Sequence, residues 1–172
     1  MRSLLLALLL GSTAVACAQQ QPDLADQRQA MQKLNFLVGK WTGDATVSHG
    51  PGEPIKIIQT EVVQYKLDGL VLLIEGTGRD EGGKAVFTAL ATVSYDDENF
   101  TYHFRAYNGG RYLDTELKVL PHGFTWAYNV GPAKITNAMH LTEKGEWDEV
   151  TEAAVGSAPP RKSVDMLLHL QP

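Results

Sequence analysis

Trp41-Thr42-Gly43-Asp44-Ala45-Thr46-Val47-Ser48-His49-Gly50-Pro51-Gly52 is the stretch whose reading decides the fold. Its first seven residues alternate. Trp41, Gly43, Ala45 and Val47 share one face of an extended chain, and Thr42, Asp44 and Thr46 share the other. This is a strand with the first set turned inward. Gly50-Pro51-Gly52 ends it, since glycine supplies positive φ and proline fixes φ while removing a donor.

The same unit recurs to the end of the chain. Further turn signals stand at Asp68-Gly69, Asp80-Glu81-Gly82-Gly83, Asp96-Asp97-Glu98-Asn99 and Asn108-Gly109-Gly110. Pro121-His122-Gly123, Gly131-Pro132, Glu143-Lys144-Gly145 and Gly156 to Pro160 complete the series. Nine turns bound ten segments rich in Val, Ile, Thr, Tyr, Phe and Trp, and none has an internal proline. Connections this short leave no room for crossover helices, so the sheet is antiparallel and up-and-down. An open meander of ten strands would expose two edges, and closure removes both. The expectation is an all-β, closed up-and-down antiparallel barrel of about ten strands. Ile135, Met139 and Leu141 should face inward against Thr136 and His140. Phe100, Tyr102 and Phe104 alternate with Thr101, His103 and Arg105. Leu70 to Ile74 is apolar on both faces, which suits a strand whose outer face packs on a helix.

Upstream of the strands, Asp23 to Asn35 reads as a short N-terminal helix. Asp23 is its cap, and Leu24, Met31 and Leu34, with Ala30 beside them, form its apolar stripe. Further upstream, Arg2 precedes an uncharged run from Leu4 to Ala16. Those 13 residues would span about 20 Å as a helix, short of a hydrocarbon core of about 30 Å. The run is therefore a signal segment rather than a stable span. Two processing routes fit. Thr13-Ala14-Val15-Ala16-Cys17 resembles a lipobox, with Ala14 where leucine is usual, and makes Cys17 the lipid anchor. Ordinary cleavage after Ala16 or Ala18 also satisfies the small-x-small rule. The chain then divides into a signal peptide over 1–16 (or through 18), a tether over 17–22 and a single barrel domain over 23–172. By family analogy, Ala18 after the cysteine implies outer-membrane sorting, hence an exported, periplasmic protein.

Beyond the signal the chain carries 14 basic against 20 acidic side chains, a net charge of −6. That balance disfavours a nucleic-acid or anionic-membrane surface, which requires a basic face. A hydrophobic content of 44% excludes disorder as the default.

Phe36-Leu37-Val38-Gly39-Lys40-Trp41-Thr42-Gly43 resembles the Gly-x-Trp opening of calycins, the superfamily of lipocalins and fatty-acid-binding proteins. More closely, the chain is similar to an uncharacterised family of bacterial calycin-like domains. These share a Phe-Leu-hydrophobic-Gly-x-Trp-x-Gly opening and a segment like Lys66-Leu67-Asp68-Gly69-Leu70-Val71-Leu72-Leu73-Ile74-Glu75-Gly76. The resemblance runs from about Leu34 to the C-terminus and implies a barrel, with no activity to carry over. Nitrobindin-like barrels share the Gly-x-Trp-x-Gly opening and take a haem iron ligand from a histidine near the C-terminus, where this chain has His169. His169 alternates with Val164, Met166, Leu168 and Leu170, however, so the pattern points it outward.

No constellation argues for catalysis. The histidines His49, His103, His122, His140 and His169 lack close metal-ligand spacing, and Cys17 is the only cysteine. No serine lies in a Gly-x-Ser-x-Gly turn, and no helix follows the glycine pairs to make a phosphate loop. The candidates are charges and aromatics within strands. Glu61, Glu75, Arg105, Glu116 and Glu152 lie away from turns, either on the solvent face or paired inside a cavity. In the functional reading Arg105, beside Tyr102 or Tyr107, anchors a carboxylate or other polar head bidentately. When the site is empty, Glu61, Glu75 or Glu152 balances its charge. Strand parity opposes this unless a bulge shifts the register. Trp41, Trp126 and Tyr128 could line the same cavity. The leading expectation is a barrel binding a small hydrophobic or amphipathic ligand without a cofactor. A structural envelope-associated barrel with a filled interior, a haem barrel and an enzyme are the alternatives.

Overall fold

A computed structural model describes residues 21–48 and 52–172; the signal segment, Cys17 and His49 lie outside them. Asp23 caps α1 (Leu24–Gln32), its carboxylate accepting from the amides of Ala25 and Asp26 at 2.9 and 3.1 Å. A 3-10 turn over Asn35–Leu37 replaces the last helical residues expected through Asn35. Leu24 is a correction. It is 45% exposed, because α1 buries only Ala30 and Met31 against the barrel, followed by Leu34 and Leu37.

Ten strands follow. They are β1 (Gly39–Val47), β2 (Ile55–Lys66), β3 (Val71–Arg79), β4 (Ala85–Asp96) and β5 (Thr101–Asn108), then β6 (Arg111–Leu120), β7 (Gly123–Val130), β8 (Ala133–Leu141), β9 (Trp147–Val155) and β10 (Arg161–Leu170). Each pairs antiparallel with its sequence neighbour, and β1 pairs with β10 to close the barrel. Trp41 lies opposite Leu170 and Glu61, while Gly43 lies opposite Leu168 and Gln59. A Cβ on Gly43 would run into the carbonyl oxygen of Leu167, so this glycine lets β10 approach β1 and complete the closure.

Phe100 does not belong to β5. The Asp96 carboxylate accepts from the amides of Glu98 and Asn99 and from the Asn99 side chain, which locks the turn. Phe100 leaves that turn at φ 56 and is exposed, and pairing starts at Thr101. The inward alternation of β1 and β8 is as expected: Trp41, Ala45 and Met139 are buried, and Asp44 and His140 are exposed. Leu170 is half-exposed at the end of its strand.

The helix does not lie on the apolar outer face of β3. It crosses one end of the barrel, where Met31, Leu34 and Leu37 join the core of Trp41, Leu72 and Leu168. Two tyrosines on inward positions hold it there. Tyr65 donates to the Met31 carbonyl at 2.6 Å and Tyr102 to the Ala30 carbonyl at 2.8 Å. Arg28 donates to the Asp68 carboxylate at 2.7 Å, and Gln27 to Asp97 at 2.7 Å. One end of the barrel is therefore plugged. At the other, the inward residues Val47, Ala106, Leu113, Tyr128, Ile135, Ala153 and Val164 keep partial access to solvent.

Candidate functional site

Between the plugged and the accessible halves lies a layer of polar side chains. β2 sends Ile57, Gln59, Glu61 and Val63 inward, all buried, so its alternation carries two polar groups into the interior. Gln59 Nε2 donates to Glu61 Oε1 at 2.7 Å. The room for this pair comes from β3. A Cβ on Gly76 would meet both Glu61 carboxyl oxygens within 2.9 Å, and one on Gly78 would meet Gln59 Oε1 at 2.7 Å. Across the interior, Asn137 Nδ2 donates to Glu149 Oε1 at 2.7 Å and to Thr151 Oγ1 at 2.9 Å. Trp147 Nε1 donates to Glu149 Oε2 at 2.7 Å. Asn137 is 1% exposed, and its Oδ1 is buried with no hydrogen-bond partner.

The electrostatics of this layer follow from burial. Loss of solvent pushes the Glu61 carboxyl up to about 8; the Gln59 donor offsets part of that, and the neighbouring Glu149 charge adds to it. Burial also raises Glu149, against the donors Asn137 and Trp147. No Lys, Arg or His stands beside either carboxyl among the hydrogen bonds and ion pairs of the described residues. Arg111 and Arg161 sit at the exposed ends of β6 and β10 that border the accessible half. An aromatic wall rises from the layer. Phe104 and Trp126 stack with centroids 5.3 Å apart, and Trp126 meets Tyr128 at 5.7 Å.

Several residues singled out in the sequence are placed elsewhere. Arg105 is on the outer face, where its Nε donates to Asp114 Oδ2 at 2.9 Å in an exposed pair. No bulge shifts β5 against either neighbour, so parity holds and Arg105 cannot anchor a head group inside. Glu75 and Glu152 are likewise exposed on outward positions, as is Glu116. Trp41 belongs to the plugged half. It is 2% exposed, donates to the Leu37 carbonyl at 2.8 Å and packs edge-on against Trp147. Tyr102 serves the helix rather than the accessible half. Of the eight ligand-binding candidates, Glu61, Trp126 and Tyr128 remain at the layer or above it.

Gln59, Asn137, Glu149 and Thr151 are the members that sequence reasoning missed. The signal was present in part: Asn137 shares a face with Ile135, Met139 and Leu141, and carrying that alternation through position 137 places it inside. The described histidines stand apart from this site. His103, His140 and His169 approach the surface acids Asp96, Asp148 and Glu146 at 3.8, 3.7 and 3.6 Å, and His122 sits in a turn beside Phe36. With His169 outward, the residues present do not fit a haem ligated from that position.

No family model matches the chain, and no curated protein matches it. Among solved structures, the crystal structure of Rv2717c from M. tuberculosis is similar, with a TM-score of 0.62 at 12% identity. The match covers 83% of this chain and 98% of that one. At such identity the likeness is one of fold.

Proposed function

We propose that this chain is an exported binding barrel that takes a small amphipathic molecule into the half opposite the helix. One observation carries the reading: α1 covers one end of the barrel over the buried Trp41, Leu72 and Leu168, while at the other end the inward Val47, Ala106, Leu113, Ile135, Ala153 and Val164 are small or aliphatic and keep partial access to solvent. A plugged end, a polar layer and an open apolar wall together make a cup with a floor. Trp126 and Tyr128 would line it, and Glu61 would lie in its floor. The calycin-like opening at Phe36 to Gly43 agrees with this use of the fold. No residue of the cup is assigned a catalytic step.

The uncharged dye Nile red, whose emission rises in apolar surroundings, tests this on the mature protein. Bright, saturable emission is expected, together with its loss in Ala106→Trp, which fills the cup from β5. Circular dichroism of that variant shows whether it keeps the barrel. Absence of Nile red binding, with no co-purifying small molecule in native mass spectrometry, would overturn the reading in favour of a filled structural barrel.

A further inference from the structure

The polar layer contains hydrogen-bond acceptors in excess. Two carboxyl groups, Glu61 and Glu149, lie close enough for the charge of one to act on the other. The Asn137 amide spends both of its bonds as a donor, to Glu149 and Thr151, and leaves its Oδ1 buried without a partner. An ionised Glu149 fixes that orientation, since a turned amide would then set oxygen against oxygen. Buried acceptors without donors are costly, and a native interior seldom leaves one unless something else supplies the proton. What is missing at this layer is a hydrogen-bond donor to Asn137 Oδ1, and no Lys, Arg or His stands beside the two carboxyls among the described residues.

We propose that the head group of the bound molecule is an organic cation that donates hydrogen bonds, a protonated amine or a guanidinium, held by Glu61, Glu149 and Asn137 Oδ1. This rests on the cup reading above and names the chemistry that the cup selects. An ammonium or guanidinium has several N–H donors for these oxygens, and charge-assisted bonds of this kind are the strong ones. The aromatic wall of Trp126 and Tyr128 suits both a cation at its foot and an apolar tail above it. A carboxylate head would find no cation at the floor to balance it, since no Lys, Arg or His stands beside Glu61 or Glu149 among the described residues, so a fatty acid is the wrong class. Calcium asks for six to eight oxygens, more than two carboxyls and one amide supply beside aromatic rings. In the empty cup burial keeps a proton on Glu61. When an ammonium arrives it stays charged, and the Glu61 proton leaves to solvent. The other inward titratable side chains that the structure records as perturbed, Tyr65 and Tyr102, are raised and keep their protons.

Octylamine, octanol and octanoate, which share a tail and differ in head, are titrated against the Nile red complex at pH 7. Octylamine is expected to bind at least about ten-fold tighter than octanol, and octanoate more weakly than either. That ten-fold ratio should persist in Arg105→Ala, on the outer face, and collapse toward one in the double variant Glu61→Gln/Glu149→Gln. Calorimetry in buffers of different ionisation enthalpy should show proton release with octylamine and none with octanol. That readout holds even if the double variant fails to fold. A ratio near one on the wild type, octanoate binding as tightly as octylamine, or displacement of octylamine by millimolar calcium would overturn the proposal. Those outcomes leave the cup itself standing, whereas failure of all three compounds and of Nile red would remove the cup.

Discussion

Glu61 keeps its proton at neutral pH because burial costs its charged form more than the Gln59 hydrogen bond returns. The unfolded chain releases that proton near the ordinary value of 4.5, and the folded chain near about 8. Between those values the folded state binds more protons, so stability falls as pH rises from about 4.5 to about 8 and is level beyond. Glu149, also raised, acts in the same direction. Urea titrations should find the wild type less stable at pH 9 than at pH 5, by on the order of 4 kcal/mol from Glu61. Glu61→Gln should remove most of that difference and exceed the wild type at pH 9. An unchanged slope in the variant would show that the carboxyl is solvated. At this scale the sequence was only partly legible. Charge inside a strand marked Glu61, Glu75, Arg105 and Glu152 alike, and only parity within the closed sheet separates the first from the others. Glu149 stood in the acidic run Asp148-Glu149-Val150-Thr151-Glu152, where nothing local distinguishes the inward acid.

The elements were the most legible part, because their punctuation is chemical. Glycine, asparagine and aspartate mark positive φ, and Gly83, Gly109, Gly110, Gly131, Gly145 and Gly156 all adopt it at the turns between strands. Phe100 was misread as strand because a phenylalanine at φ 56 is forced by the Asp96 turn before it, which an alternation pattern does not register. The placement of α1 was also hidden. Its sequence shows an apolar stripe but not which surface receives it, and the tyrosines that receive it come from β2 and β5. As the plug of one end, the helix should matter more through its core residues than through its rim contacts. Met31→Ala should cost about 2–5 kcal/mol. Tyr65→Phe, which removes one of the Met31 carbonyl's donors and leaves it the Leu34 amide, should cost about 1 kcal/mol. The Arg28–Asp68 pair is exposed and should contribute less than about 1 kcal/mol. Chemical denaturation of the three variants checks the order, and a Met31→Ala effect below about 0.5 kcal/mol would mean that the helix does not plug the barrel.

At the scale of the whole molecule, closure turns ten short amphipathic strands into a barrel with α1 across one end and inward residues partly accessible at the other. Closure was inferred from edges, since an up-and-down sheet of this length has two to hide, and the β1–β10 pairing hides both. The asymmetry of the interior was not legible, because it depends on which residues meet across the barrel rather than along a strand. Export of the barrel is the proposed role of the segment before it. In a Gram-negative host the protein should incorporate labelled palmitate and fractionate with membranes, and Cys17→Ser should abolish both. An unlabelled, soluble wild type beginning at Gln19 would instead establish ordinary cleavage. The central claim, a pair of carboxyls held inside the barrel away from water, is tested most directly by carbon-detected NMR of the glutamate side chains across a pH titration. The structure predicts one carboxyl, assigned to Glu61 by its loss in Glu61→Gln, titrating at about 8, with Glu149 also raised above its ordinary value. Titration of both near 4.5 would place them in solvent and contradict the account.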